Sequence, residues 1–139
     1  MIKYAVLALA RKRKNNRKIK GTGGHDVITG TKRRNVIWGL DGDDTIESGE
    51  GKDKAYGGPG DDTFVTVNGG KGYVKIMDFQ PGDSIEFCGC SSTTIEMRKE
   101  DSWIVNGNDV MAVVKGVEAD DLKIDFDERV ITMNFDVFA

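Results

Sequence analysis

Five oxygen-bearing side chains recur at nine-residue intervals along the chain: Asp26, Asn35, Asp44, Asp53 and Asp62. Carboxylate and amide oxygens without histidine or cysteine in the same pattern are ligands for a hard cation rather than a soft one. Carboxylates held about 4 Å apart repel one another by roughly 1 kcal/mol even with water-like screening, and by more when partly buried. A cation between them reverses the sign. The chemistry open to this set is therefore metal binding.

Other chemistry finds little support. His25 is the single histidine and occupies a variable loop place, so it is read as incidental. The chain has no HExxH, GxSxG or Walker loop. Asp41-Gly42-Asp43-Asp44 superficially suggests an EF-hand, but Thr45 and Ile46 fall where a ligand and the turn glycine belong. The expectation is a protein that is not an enzyme.

The elements that must hold the five side chains follow from a repeat. From Gly21 the chain divides without insertion into GTGGHDVIT, GTKRRNVIW, GLDGDDTIE, SGEGKDKAY and GGPGDDTFV. The sixth place carries the five oxygen ligands, and the eighth carries Ile28, Ile37, Ile46, Ala55 and Phe64. Glycine dominates places one and four and fills place two in the last two repeats, where it allows sharp turns through positive φ. The last three places form a minimal strand with the eighth residue facing inward. Each nonapeptide is then a turn plus a strand, and two complete one coil of a flattened parallel solenoid.

Coils of 18 residues stack Asp26, Asp44 and Asp62 along one edge, and Asn35 and Asp53 along the other. Neighbouring coils lie ~4.8 Å apart, the strand spacing of a sheet. Loop backbone from the odd repeats, at Gly21, Gly23, Gly39, Asp41, Gly57 and Pro59, is expected to complete each shell. Six or more oxygens in a flexible cage suit Ca²⁺ better than Zn²⁺, and better than Mg²⁺ with its strict octahedron.

These nonapeptides resemble the GGxGxDxUx repeat of the RTX (hemolysin-type) calcium-binding proteins. The resemblance covers residues 21 to 65 and extends more loosely to "VKIMDFQPGDSIEF" and "WIVNGNDVMAVVKGVEADDLKI", which look like the closing strands of such proteins. It implies an all-β fold, a short right-handed parallel β-roll capped by a C-terminal β-strand region, with Ca²⁺ as the bound ion. Arg33, Asn35, Ser48 and Ala55 depart from the pattern, all in the even repeats. The edge of Asn35 and Asp53 is accordingly expected to be weaker or empty, with Arg33 as a stand-in cation.

Five repeats make a core too small to stand alone. Residues 66 to 139 are expected to cap it as one unit with the repeats, through short runs such as "TTIEM", "SWIV", "VMAVVKGV", "LKIDF" and "RVITMNFDVF". "IVNGNDVM" reads as a hairpin with an Asn-Gly turn. Cys88 and Cys90 in "FCGC" are read as two small packed thiols on one face of a strand, because a bridge between them closes a very short loop. Trp38 and Trp103 read as surface-strand or packing residues.

Charge is split unevenly. Residues 1 to 20 carry +8, while the remaining 119 residues carry −11. Residues 1 to 20 read as a basic arm, with Arg11, Lys12, Arg13, Lys14, Arg17 and Lys18 as candidate contacts to an acidic partner surface, nucleic acid or an anionic membrane. "MIKYAVLALA" loosely resembles a signal peptide but reads better as an ordered strand or short helix. The ending "NFDVFA" resembles the uncleaved secretion signal of RTX proteins and equally reads as a strand. No apolar run reaches the ~18 residues that span a membrane. The expected function is a secreted or surface-displayed calcium-binding module with structural or adhesive duty. The alternative is a subunit of a larger assembly, such as a virion decoration protein or surface-layer component, or a homo-oligomer.

Overall fold

Alternation of side chains along each strand decides which way the repeats fold. In Asp26–Thr29 and Asn35–Trp38 the first and third residues are buried and the second and fourth only half so. Period-two burial commits one face of each strand to the interior. A computed structural model of the chain describes residues 5–8, 17–66 and 72–133. Within them it holds β1 (Ala5–Ala8), β2 (Arg17–Lys20), β3 (Asp26–Thr29), β4 (Asn35–Trp38), β5 (Thr45–Glu47), β6 (Gly51–Tyr56) and β7 (Thr63–Val65). There follow β8 (Gly72–Ile76), β9 (Ser84–Glu86), β10 (Thr93–Arg98), β11 (Asp101–Asn106), β12 (Asp109–Val114), β13 (Leu122–Asp125) and β14 (Val130–Met133). One 3-10 turn at Ala119–Asp121 is the sole helical element among the described residues.

The strands form two seven-stranded sheets, in the orders β1-β3-β5-β7-β9-β14-β13 and β10-β11-β12-β8-β6-β4-β2, and up to β9 odd and even strands separate between them. The chain crosses from one sheet to the other at every loop from β1 to β9, and each strand lies parallel to the one a coil away. This is an all-β solenoid, a β-roll. Its interior is two facing ladders. Ile28, Ile46, Phe64 and Ile85 stack on one sheet, and Ile19, Ile37, Ala55 and Ile76 on the other, all essentially without solvent exposure. Each buried isoleucine contributes about 1.5–3 kcal/mol. Ala55 and Phe64 are consecutive inward eighth-place residues on opposing sheets, so the smallest core side chain is followed by the largest.

The ladders run past residues 21–65 on both sides. β1 and β2 lie within the basic N-terminal segment, and Ile19 of β2 stacks on Ile37. The basic run that contains Arg11, Lys12, Arg13 and Lys14 lies outside the described residues, as does "NFDVFA". At the far end β8 and β9 supply one more coil, in register with β6 and β7.

Beyond that coil the topology turns antiparallel. β10, β11 and β12 form an antiparallel meander whose β12 lies parallel to β8, and β14 and β13 form a hairpin joined antiparallel to β9. Leu122, Ile131, Met133, Phe79 and Phe87 close the core there. Two expectations need correction. The β11–β12 loop is Gly107-Asn108, flanked by the pair Asn106 and Asp109, and only its glycine has positive φ. That places glycine first in the turn, as a II′-type hairpin requires, rather than the Asn-Gly order. Cys88 and Cys90 are not two thiols on a strand: they are joined in a disulfide beyond the end of β9, with Cα atoms 5.2 Å apart. Gly89, at φ 73°, bends the chain so that both sulfurs reach the same side.

Candidate metal centre

Asp26 and Asn35 open their strands, Asp44 and Asp62 immediately precede theirs, and Asp53 is the third residue of β6; all five side chains are turned inward. Asp26, Asp44, Asp53 and Asp62 are each about 1% exposed and Asn35 is fully buried. The structure brings Asp26, Asp44 and Asp62 into one column and Asn35 and Asp53 into another, through an 18-residue register. Successive members are tied by the same bond. The Asp26 amide donates to Asp44 Oδ1 at 2.8 Å, and the Asp44 amide donates to Asp62 Oδ1 at 2.9 Å. On the other edge the Asn35 amide donates to Asp53 Oδ1 at 2.7 Å.

The first column has a fourth member. The Asp62 amide donates to Asp83 Oδ1 at 2.9 Å across 21 residues. Three extra residues between β7 and β8 break the nonapeptide phase and conceal this repeat from a fixed-period reading. Its signal is Asp83-Ser84-Ile85, which keeps the acid and apolar places of Asp62-Thr63-Phe64. Asp78 also lies outside the nonapeptide phase, and its carboxylate accepts from the amides of Gly57 and Gly58 at 2.8 and 2.9 Å.

What separates the members is the second carboxylate oxygen. At the ends of the column it is satisfied by the protein. Asp26 Oδ2 accepts from the Thr22 amide at 2.6 Å, and Asp83 Oδ2 from the Gln80 amide at 3.0 Å. In the middle it is not: Asp44 Oδ2 and Asp62 Oδ2 are buried without a hydrogen-bond partner, and so is Asp53 Oδ2 on the other edge. A buried anionic oxygen left without a partner is costly and calls for a cation or a proton.

The electrostatics agree. Burial pushes the Asp62 carboxyl up to about 8, with Asp83, Asp44 and Asp78 adding repulsion and the Asp44 amide opposing the rise. Burial pushes Asp44 up to about 7, with Asp26 and Asp43 adding to it against the Asp26 amide. Asp83 rises to about 6, again chiefly through burial. Asp53 rises to about 7 through burial, opposed by the Asn35 amide, the approach of the Ser48 hydroxyl and the charge of Arg34. Ser48 Oγ approaches without completing a hydrogen bond. Both Arg33, expected as a stand-in, and Arg34 are exposed to solvent, and it is Arg34 whose charge acts on Asp53.

Glycine leaves the space that an ion needs. A Cβ on Gly39 would lie 2.6 Å from Asp44 Oδ2 and 2.8 Å from the Gly57 carbonyl oxygen. One on Gly21 would lie 2.5 Å from Asp26 Oδ2 and 2.6 Å from the Gly39 carbonyl oxygen. A carboxylate oxygen and a carbonyl from the next coil therefore converge beside Gly21 and Gly39. Gly57 borders the Asp62 carboxyl group, with Oδ2 the nearest atom. Gly23, Asp41 and Pro59 stand on the exposed outer side of their loops, and a Cβ on Gly23 would meet nothing within 4 Å. Among the described residues no three His, Cys, Asp or Glu side chains converge on one point. Backbone carbonyls must supply most of any shell, which suits an ion with many neutral oxygen ligands.

The outer loop places form their own contacts. Asp43 Oδ1 accepts from the Asp61 amide at 2.7 Å, and His25 Nδ1 accepts from the Asp43 amide at 3.2 Å, in each case one coil away. Trp38 stacks on Tyr56 with ring centroids 5.7 Å apart, and Trp103 packs against Tyr73.

The family model of the RTX calcium-binding nonapeptide repeat matches the chain in four copies, over residues 20–55 and 41–73. No curated protein matches the chain. The repeats are RTX repeats, they bind calcium, and they are folded here as a β-roll.

Proposed function

We propose that this RTX β-roll is a non-enzymatic calcium-dependent module that works outside the cell in a structural or adhesive role, with its ions along the edge of Asp44 and Asp62. The observation that carries this reading is the pair of buried, unpartnered oxygens, Asp44 Oδ2 and Asp62 Oδ2. Calcium, when bound, supplies the positive charge that these oxygens lack. The carboxylates are oriented for it through Oδ1, which in each aspartate accepts from the amide of the coil before. The first-place glycines Gly21, Gly39 and Gly57 contribute open space and carbonyl oxygens. Asp26 and Asp83 are already satisfied by Thr22 and Gln80, so they terminate the column rather than hold ions alone.

The edge of Asn35 and Asp53 has a single carboxylate and a nearby arginine, which makes it the weaker of the two. A structural role fits a chain whose coils each bury one inward apolar residue per strand and need a bridge at the loops. Among the described residues no helix is long and apolar enough to cross a membrane.

Isothermal calorimetry with calcium tests the reading. Saturable binding that drops sharply in a double variant, Asp44→Asn with Asp62→Asn, is the expected result. Binding unchanged in that variant would place the ions elsewhere.

A further inference from the structure

The two outer faces of the roll differ in charge. On the face built from β3, β5, β7 and β9 the outward residues are Val27, Thr29, Thr45, Glu47, Thr63, Val65, Ser84 and Glu86, with no lysine or arginine. The opposite face, from β2, β4, β6 and β8, presents Lys18, Lys20, Lys52, Lys54 and Lys75, with Arg34 just before β4. These cations come from four separate coils of a body whose residues 21 to 139 carry −11.

Their arrangement opposes local stability. Lys54 lies directly beside Lys75 in the strand register, and Arg34 falls opposite Lys52 when the β4–β6 register is extended by two residues. Like charges facing each other across a strand pair are destabilising. Among the described residues, Lys75 is the one member with a carboxylate partner, Asp101 at 4.0 Å. Asp101 beside Lys75 and Asp53 near Arg34 offset part of this cost, and the part left uncompensated inside the fold is the mark of a functional surface. Arg34, Lys52, Lys54, Lys75 and Tyr73 line a cleft of about 290 Å³, floored by Asn35, Val36 and Asp53.

We infer that this face docks a linear acidic polysaccharide along the axis of the roll, with its carboxylate or sulfate groups in the cleft and on the adjoining lysines. The inference names the partner for the adhesive role proposed above and rests on that reading. Lys54 and Lys75, and Arg34 and Lys52, lie one ~4.8 Å strand spacing apart, with Lys18 in the same row as Lys54 beyond Val36, which presents positive charge along the axis to an extended chain. The aromatic rings argue against nucleic acid. Trp38 has Tyr56 stacked on it and Lys20 over its ring at 5.9 Å, while Arg98 covers Trp103 at 4.4 Å. Bases need open ring faces on which to stack. A membrane fits less well because an anionic bilayer is held by apolar side chains that insert beside the cations. The exposed large apolar residues, Leu40, Met97 and Phe126, are not among the outward residues of β2, β4, β6 and β8.

The test uses the full chain at millimolar calcium, with chondroitin sulfate as probe and neutral dextran, a single-stranded oligonucleotide and phosphatidylserine-containing vesicles alongside. Chondroitin sulfate should bind, dextran should not, and binding should weaken steeply with added salt. Lys52→Glu with Lys54→Glu should lower that affinity by roughly tenfold or more, while Lys123→Glu on β13 of the other sheet leaves it unchanged. Calorimetry of the double variant should give the wild-type calcium affinity, which shows an intact roll. Equal binding by the variant, no binding by the wild type, or tighter binding of oligonucleotide or vesicles would overturn the inference. Wild-type protein that holds chondroitin sulfate but no calcium would sink the calcium reading and leave this one standing.

Discussion

The Asp44 amide donates to Asp62 Oδ1 at 2.9 Å, while Asp62 Oδ2, on the same carboxyl group, is buried without a partner. One oxygen locks two coils together and the other waits for a cation. The same division holds at Asp44, whose Oδ1 receives the Asp26 amide. The column is thus a strand-to-strand device and a metal site built from the same side chains.

Asp44→Ala and Asp62→Ala are expected to weaken calcium binding most, each by at least about tenfold, or ~1.4 kcal/mol. Asp26→Ala should cost less affinity, because its carboxylate is already satisfied by Thr22. Asp43→Ala should be mild, since Asp43 is exposed and supports only the Asp61 amide and His25. Calcium titration of the four variants gives the ranking. Asp43→Ala matching Asp44→Ala would show that the register is wrong.

Two glycines offer a matched pair. Gly39→Ala places a methyl group between Asp44 Oδ2 and the Gly57 carbonyl, so affinity should fall by roughly tenfold, ~1.4 kcal/mol. Gly23→Ala meets only open space and should stay within about 0.5 kcal/mol of wild type. Calorimetry on both, with thermal melts in EGTA to measure the fold separately, separates loss of a ligand from loss of packing.

Acidity should act in opposite directions with and without calcium. Folding raises Asp44 and Asp53 from the ordinary 3.8 to about 7 and Asp62 to about 8. Between those limits the folded state without calcium holds more protons than the unfolded state, so its stability falls as pH rises. The contribution is fully present below about 4 and is lost as pH passes through 7 to 8. Calcium needs the ionised oxygens, so its affinity should climb over the same interval. Melting temperatures from pH 5 to 8.5 in EGTA and in calcium should therefore diverge. Parallel curves would count against buried carboxylates as the ligands.

Removing calcium should loosen the repeats before the cap. A ligand at a hundredfold excess over Kd stabilises the folded state by about 2.7 kcal/mol. In EGTA the amides of Asp26, Asp44 and Asp62 should exchange with solvent much faster, while those of Ile104 and Ala112, in the antiparallel meander, change less. Hydrogen exchange followed by mass spectrometry resolves the two regions. Uniform exchange across both would mean that the roll and its cap open as one unit.

Phe64→Ala should destabilise the roll by about 3–5 kcal/mol, because Phe64 is fully buried and no larger residue sits at Ala55 to fill the gap. Urea unfolding at saturating calcium measures this. A loss below about 1 kcal/mol would indicate that Phe79, with its ring centroid 6.2 Å away, collapses into the space.

The sequence by itself determined what is periodic. Glycine, acid and apolar residue recur in fixed phase from Gly21 to Val65, and that phase dictates the turn, the inward face and the two columns of oxygens. Local chemistry suffices there, because each coil repeats the last and a residue's neighbour is always 18 positions away. Only the tertiary structure decided what lies outside the phase. Asp83 joins the column 21 residues after Asp62, since three added residues lengthen one connection without disturbing the strands it links. Gly89 turns Cys88 towards Cys90, a reversal that a strand-like reading of "EFCGC" cannot contain. Lys18, Lys54 and Lys75 look unrelated along the chain, yet they share a row of one face. Winding turns coil length into adjacency, and where coil length varies no local preference encodes which side chains will meet.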